Sequence, residues 1–267
     1  MRLSVVVPAR NEEAVIAATI REIVATLEAA AIPHEVILVN DNSTDATGEI
    51  AQHLAAELPT VRVLHRQPPA GFGRAVREGL AQVTGDCVVI AMGDASDDPA
   101  DIVTYYRKLA EGYDCVFGTR FTRGTTVRAY PLHKLIVNRL ANTFIQVLFR
   151  TRYNDMTNAF KGFRTDVVRD LMPLLANHFN MTVELPLKAL NRGYRFAVVP
   201  VNWYGRTAGV SRLSIRTMGR KYLFTVLYLW LERHLMRDEL GQRPLPEPAP
   251  LPPGTLPPPL GSDPLPR

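Results

Sequence analysis

Short β-branched runs alternate with amphipathic stretches through the first 120 residues, and this alternation predicts the architecture. Strands are expected at Leu3 to Val7, Glu35 to Val39, Val61 to His65, Cys87 to Ala91 and Cys115 to Gly118. Helical patterns begin near Glu12, Thr44, Gly73 and Pro99. Repetition of this kind argues an α/β fold with a parallel sheet and right-handed crossovers. Ligands on such sheets sit outside the carboxyl ends of the strands, so the residues just after each strand carry the interest. Beyond Gly118 the pattern predicts helices over Pro131 to Phe149, Asp166 to Leu175, Glu184 to Asn191 and Ile215 to Met236, with strands over Asn158 to Arg164 and Phe196 to Val201. The last helix carries ten consecutive uncharged residues, Tyr222 to Leu231. A membrane span needs about 20, so this helix does not cross a bilayer alone. From Pro244 onward eleven of twenty-four residues are proline, an extended tail with nothing to bury. The expected divisions are a folded domain over 1–214, an amphipathic interfacial helix over 215–240 and a disordered proline-rich tail over 241–267.

Composition narrows the classes. With 267 residues, 46% hydrophobic and 21% charged, wholesale disorder is excluded. Cys87 and Cys115 lie in apolar runs without metal-ligand spacing, which argues against a disulfide scaffold or a zinc module. The amino terminus lacks the apolar region of a signal peptide, and a cytoplasmic location is expected. Net charge is +5 but unevenly spread: residues 120–154 hold seven Lys/Arg and no acid, and residues 204–243 hold eight against three. Two basic segments on a mildly acidic body point to a localised anionic partner such as phosphate or a lipid head group. Nucleic acid is disfavoured, because the cations are interleaved with aliphatic runs and no helix-turn-helix, zinc-finger or aromatic RNP pattern is present.

The strand ends supply candidate chemistry. Pro8-Ala9-Arg10-Asn11-Glu12 follows the first strand and Asn40-Asp41-Asn42-Ser43-Thr44-Asp45 the second. Asp41 is the leading candidate for nucleotide contact, since an acid there accepts from the donors of a base or ribose. Asn42, Ser43 and Asp45 read equally well as turn and cap residues. Gly71 and Gly73 permit close backbone approach, and Arg74 at a helix start can face a pyrophosphate. In Gly93-Asp94-Ala95-Ser96-Asp97-Asp98-Pro99 three carboxylates crowd within five residues, a cost tolerated where a cation neutralises them. Sparse oxygen ligands suit Mg2+ or Mn2+ shared with a substrate diphosphate. Asp98, just before Pro99, reads as a helix cap.

Taken in order, these motifs, with Gly118-Thr119-Arg120-Phe121, Asp155 to Arg164 and Arg206-Thr207-Ala208-Gly209-Val210-Ser211-Arg212-Leu213, resemble family 2 glycosyltransferases of the dolichyl-phosphate mannosyltransferase and polyprenyl-phosphate glycosyltransferase type. The resemblance spans residue 3 to about residue 215 and implies a GT-A, Rossmann-like, mostly parallel sheet flanked by helices. It also implies a GDP- or UDP-linked sugar donor bound around Pro8, Arg10, Asn11, Glu12, Asp41, Gly71, Gly73, Arg74 and Asp94, and a divalent cation. Two departures stand out: the usual Asp-x-Asp falls on Gly93-Asp94-Ala95, so the cation is assigned to Asp94 and Asp97, and Asn40 replaces the first acid of an Asp-Asp pair. By the same resemblance Arg120, Lys134, Asn138 and Ser211 face the acceptor phosphate, and Arg206, with Asp94, serves the catalytic step.

A hydroxyl acceptor needs a general base, whereas a phosphate monoester is already ionised. The corresponding stretch, Thr182-Val183-Glu184-Leu185-Pro186, lacks the paired acid, and Glu184 reads better as a helix-start acid. The expectation is therefore inverting transfer of a hexose to polyprenyl phosphate at the cytoplasmic membrane face. The helices at Pro131 to Phe149 and Ile215 to Met236 would lie on the bilayer, leaving room for a separate membrane partner. Two alternatives remain at this point: transfer to a soluble hydroxyl acceptor with Glu184 as base, and a non-catalytic nucleotide-sugar-binding scaffold.

Overall fold

A computed structural model describes residues 1–128, 130–205 and 215–236. Nine strands are seen there: β1 Leu3–Ala9, β2 His34–Asn40, β3 Val61–His65, β4 Cys87–Ile90, β5 Cys115–Thr119, β6 Val127–Arg128, β7 Lys161–Arg164, β8 Phe196–Pro200 and β9 Trp203–Tyr204. The helices are α1 Ile16–Ala29, α2 Thr47–Glu57, α3 Phe72–Ala81, α4 Pro99–Ala110, α5 Leu132–Phe149, α6 Thr165–Asp170, α7 Met181–Asn191 and α8 Ile215–Leu235. Seven strands form one sheet in the order β3-β2-β1-β4-β7-β5-β8, and β6 pairs with β9 in a small ribbon. All pairs in the large sheet are parallel except those of β7, which runs antiparallel to β4 and to β5.

Every residue of β1 and β2 is buried, as expected where helices cover both faces of a parallel sheet. Side chains alternate between two cores. Leu3, Val5, Val7, Val36 and Leu38 meet Ile16 and Ile20 of α1, Leu54 of α2 and Ile102 of α4. Val6, Ile37 and Val39 meet Val76 of α3, Val167 of α6, Val183 of α7 and Leu229 of α8. At the amino edge Glu35 acts as a staple: it accepts from Ser4 Oγ (2.6 Å), Thr84 N (2.7 Å) and Arg62 Nη2 (2.7 Å). Burial pushes its carboxyl up, but these hydrogen bonds outweigh burial and hold it down to about 2.

The predicted strands are all present, β6 and β9 have no predicted counterpart, and the other differences lie in the boundaries. α1 and α2 start at Ile16 and Thr47, later than the pattern at Glu12 and Thr44. The expected helix from Asp166 to Leu175 ends at Asp170, because Pro173 has no N–H to continue the ladder. The expected strand from Asn158 begins only at Lys161; the preceding residues form a turn in which Asn158 Oδ1 accepts from Phe160 N (3.2 Å).

α8 packs against the domain through Asn180 Nδ2 to Thr225 Oγ1 (2.9 Å) and Asn191 Nδ2 to Leu229 O (2.9 Å). Its other side is apolar as well: Leu223, Phe224, Leu227, Tyr228 and Leu231 are exposed. Neighbouring α5 likewise exposes Leu132, Ile136, Leu140, Phe144 and Val147. Among the described residues no helix is long and apolar enough to cross a membrane. The predicted proline-rich tail lies outside the described residues.

Candidate active site

The loops after β1 and β2 are knitted to each other. Asn11, with a left-handed φ of 56°, accepts at Oδ1 from Thr44 N (2.8 Å), while its own N–H donates to Ser43 Oγ (3.1 Å). Buried Glu12 donates its N–H to Thr47 Oγ1 (2.8 Å). Pro8 fits within a buried strand because β1 has outrun β4: Ala91 N reaches back to Val6 O (3.0 Å), so the side on which Pro8 lacks a donor has no strand beside it. Arg10 is exposed at the strand end. Asn40, at the place of the missing acid, pairs its amide with His65 Nδ1 (3.1 Å) and accepts from Ser43 N (3.3 Å).

Asp41 is only 3% exposed. One carboxylate oxygen accepts from Gly71 N (2.7 Å) and the other from Arg66, so this residue clamps the β3–α3 loop instead of standing open to a nucleotide. The glycine pair is also put to another use than the sequence suggested. A Cβ on Gly71 would lie 2.3 Å from Asn177 O, and one on Gly73 2.3 Å from Ala176 O. Their open space is filled by the protein's own 174–178 loop, not by a diphosphate. Arg77 ties down the same loop through Leu174 O (2.9 Å), Ala176 O (2.7 Å) and Asn177 Oδ1 (2.6 Å). Glu184 completes it, accepting from Leu175 N (2.7 Å) and Ala176 N (2.6 Å). With both oxygens occupied at 2% exposure, Glu184 is a structural acid, as its helix-start position suggested.

The acidic loop after β4 is arranged differently. Asp98 caps α4, accepting from Ala100 N (3.0 Å) ahead of Pro99. Asp94, buried, accepts from Ser96 N (3.2 Å) across Ala95, which takes a left-handed φ of 58°. Asp97 accepts from Met92 N (2.9 Å). Burial raises the Asp97 carboxyl to about 7 and repulsion from Asp94 adds to this, against the Met92 hydrogen bond. At Gly93, where the family pattern has an acid, a Cβ would meet Pro8 O at 3.1 Å and Ala9 Cβ at 3.2 Å, so β1 crowds the position. The loop is stitched to β9 by Tyr204 N to Ser96 O (3.1 Å) and by a bridge from Asp97 to Trp203.

Asp94 and Asp97 fit a magnesium- or manganese-type ion. Their donors are hard oxygens, and their mutual repulsion is relieved by a cation. Among the described residues no three acidic, His or Cys side chains gather as a complete cage. That suits Mg2+, which takes one or two carboxylates and completes its shell with water and substrate phosphates.

On the basic side Arg120 is an internal group. Its Nε and Nη2 grip Asp155 at 2.8 and 2.7 Å, and its backbone N–H donates to the same carboxylate (3.0 Å). Burial alone would lower the Arg120 pKa, but Asp155 outweighs it and keeps the guanidinium charged. The expected contact of Arg120 with an acceptor phosphate is thus replaced by an ion pair with both partners buried. Asn138 is likewise engaged, donating to Thr157 Oγ1 (2.7 Å) and accepting from Asn142 Nδ2 (2.9 Å). Lys134 stands half-buried one turn earlier on α5. Arg206 and Ser211 lie outside the described residues. Lys161, which carries no role in the sequence reading, is completely buried. Its ammonium donates to Met156 O (3.1 Å) and Asn158 O, which fixes the turn that carries Asp155. Burial pulls its pKa down to about 7, against the attraction of Asp155.

Comparison with known proteins bears on the family and the fold. The family model for glycosyl transferase family 2 matches residues 4–172. Polyprenol monophosphomannose synthase of Mycolicibacterium smegmatis is 29% identical over 219 residues, covering 80% of this chain and 81% of that protein. Glycosyltransferase AglD of Haloferax volcanii is 30% identical over 207 residues, 76% of this chain but 33% of that protein. Among solved structures, glucosyl-3-phosphoglycerate synthase of Mycobacterium tuberculosis, crystallised with Mn2+, UDP and phosphoglyceric acid, superposes with a TM-score of 0.68. It is 21% identical, and the match covers 86% of this chain and 78% of that one, a likeness of fold.

Proposed function

The chain belongs to glycosyl transferase family 2, a family of enzymes, and from that membership we propose that it transfers a hexose from a nucleotide-diphosphate sugar to a polyprenyl phosphate at a membrane surface. The name of the mycobacterial relative supports both the lipid acceptor and mannose as the sugar. The observation that carries the acceptor assignment is the exposed apolar side shared by α5 and α8, which suits a lipid chain and a bilayer. Glu184 supports it from the other direction, since its engaged carboxylate is poorly placed to serve as the base a hydroxyl acceptor requires.

The donor occupies the crevice at the carboxyl ends of β1, β2 and β4, lined by Pro8, Arg10, Asn11 and Glu12. Asp94 and Asp97 would hold Mg2+ or Mn2+, and such an ion would supply charge neutralisation to the leaving group. The acceptor phosphate is ionised at neutral pH and attacks C1 directly from the face opposite the diphosphate. The C1–O bond to the acceptor forms as the bond to the diphosphate breaks, with inversion at C1. Nucleoside diphosphate leaves, and no proton has to be removed from the nucleophile. Lys134, Arg206 and Ser211 serve the acceptor side in this reading. α8, whose Leu229 belongs to the core, lays its exposed apolar side at the membrane interface on the cytoplasmic face in this reading.

The test uses the full chain with Mg2+ or Mn2+, labelled GDP- and UDP-sugars and a short polyprenyl phosphate. Label entering the organic phase with one donor is the expected result. Label passing instead to a soluble hydroxyl acceptor, with none in lipid for any donor, overturns the assignment.

A further inference from the structure

β9 is only two residues long, and so is β6 beside it. A ribbon of that size does not hold itself together in water, so its place depends on what its outer side touches. On the β6 side Trp203 N donates to Thr126 O (2.9 Å) and Gly205 N to Arg128 O (2.9 Å). On the other side Tyr204 N donates to Ser96 O (3.1 Å), and Trp203 forms an antiparallel bridge with Asp97. β9 therefore lies between two segments far from it in the chain, the approach to α5 and the acidic loop after β4.

Asn202, just before β9, joins the same two segments with its polar groups. Its backbone N–H donates to Asp101 Oδ2 (3.1 Å), its Oδ1 accepts from Thr126 N (3.0 Å), and its Nδ2 reaches Asp98 Oδ2 at 3.5 Å. The head of α4, where the acidic loop ends, is thereby fixed to the residues leading into β6. Trp203 adds an aromatic anchor. Its ring centre lies 5.0 Å from that of Tyr130, and the Arg120 guanidinium, gripped by Asp155, stands 5.8 Å from the Tyr130 ring and 5.4 Å from the Phe121 ring. These contacts tie the loop to a buried ion pair of the core. A fixed loop matters for a cation: repelling carboxylates on a loose segment relax by swinging apart, whereas Mg2+ demands oxygens in near-octahedral places. Met92 N and Ser96 N, which donate to Asp97 and Asp94, belong to the loop itself, and β9 brings support from outside it.

We propose that Asn202 and Trp203 are positioning residues for the cation, holding the segment from Ser96 to Asp98 so that Asp94 and Asp97 present their oxygens at one place. Each acts through the loop and not by contact with the ion. The inference rests on the reading of Asp94 and Asp97 as cation ligands and is independent of which acceptor receives the sugar.

The experiment titrates Mn2+ into the full chain by calorimetry, with UDP or GDP present and protein-free titrations subtracted, for wild type, Trp203→Ala, Asn202→Ala and Trp203→Phe. Melting temperatures are taken on the same samples. Both alanine variants are expected to bind Mn2+ about tenfold or more weakly, the loss seen when a residue that orients a metal ligand is removed. Trp203→Phe keeps an aromatic face for Tyr130 and should stay within about twofold of wild type. Glu35→Gln, at the amino edge of the sheet, is the control: it should lose stability and keep its Mn2+ affinity. Should Trp203→Ala not fold, Asn202→Ala carries the test, since it leaves the aromatic contacts in place. Mn2+ affinity within about twofold of wild type in the folded alanine variants, or an equal loss in Glu35→Gln, overturns the positioning role. A wild type that takes up no Mn2+ overturns it together with the cation assignment. Mn2+ uptake that depends on Asn202 and Trp203 in a chain that glycosylates no lipid supports the positioning role and fails only the proposed transfer.

Discussion

The rim over β1 to β3 and the loop after β4 handle acidic side chains in opposite ways. On the rim, Asp41 is bound by a guanidinium and a backbone N–H, and deeper in the fold Asp155 and Glu184 are paired as fully. In the β4 loop, Asp94 and Asp97 are set against each other, with one backbone N–H identified for each. Paired acids hold loops in place, and two carboxylates brought close on one loop offer hard oxygens to a cation. Acid content along the sequence does not separate the two cases; geometry does.

The largest expected effect comes from unpairing an internal acid. Asp155→Ala leaves the Arg120 guanidinium buried without its partner, and thermal or denaturant unfolding should show a loss of about 3–5 kcal/mol. In the repelling loop the same kind of change should act on chemistry. Asp94→Asn is expected to keep the melting temperature and lower kcat/KM for sugar transfer about a hundredfold, of the order seen when one preorganised electrostatic group is lost. An Asp94→Asn protein that melts early would erase the contrast between the two regions. Glu184→Gln weakens the hold on Leu175 and Ala176 and should cost about 1–3 kcal/mol of stability, while turnover per folded molecule stays within about twofold. A general base in that position would instead lose about a hundredfold or more. The smallest effect is confined to acid. Glu35, held near 2 against an ordinary 4.5, contributes stability fully above about pH 4.5 and loses it as pH falls toward 2. A Glu35→Gln protein should flatten that limb of the pH–stability curve.

Much of the fold can be read from local sequence. The strands from β1 to β5 follow from runs of β-branched residues, and the Asp98 cap from its place before Pro99. The membership of β7, antiparallel and inserted between β4 and β5, has no local signal, because pairing partners are chosen by the whole sheet. Site residues divide in the same way. The crowded acids of residues 94–98 announce themselves by proximity in the chain. Gly71, Gly73, Arg77 and Arg120 do not, since their partners lie about 35 to 100 residues further on. A glycine pair that leaves room for a ligand and one that leaves room for a distant loop look alike until the loop is placed. Lys161 is the extreme case: a lysine in a β-rich run reads as an edge or surface charge, and it is instead buried against backbone carbonyls.

The placement of β7 also has a consequence in time. During synthesis β4 is complete at Ile90, but the strand that covers its free edge starts at Lys161, about 70 residues later. At ~5–20 residues per second the growing chain carries that bare edge for roughly 4–14 s. The ribosome-bound intermediate therefore displays an open, valine-rich strand edge beside the nascent acidic loop. That makes this interval the window in which a chaperone would bind the chain or neighbouring copies would aggregate.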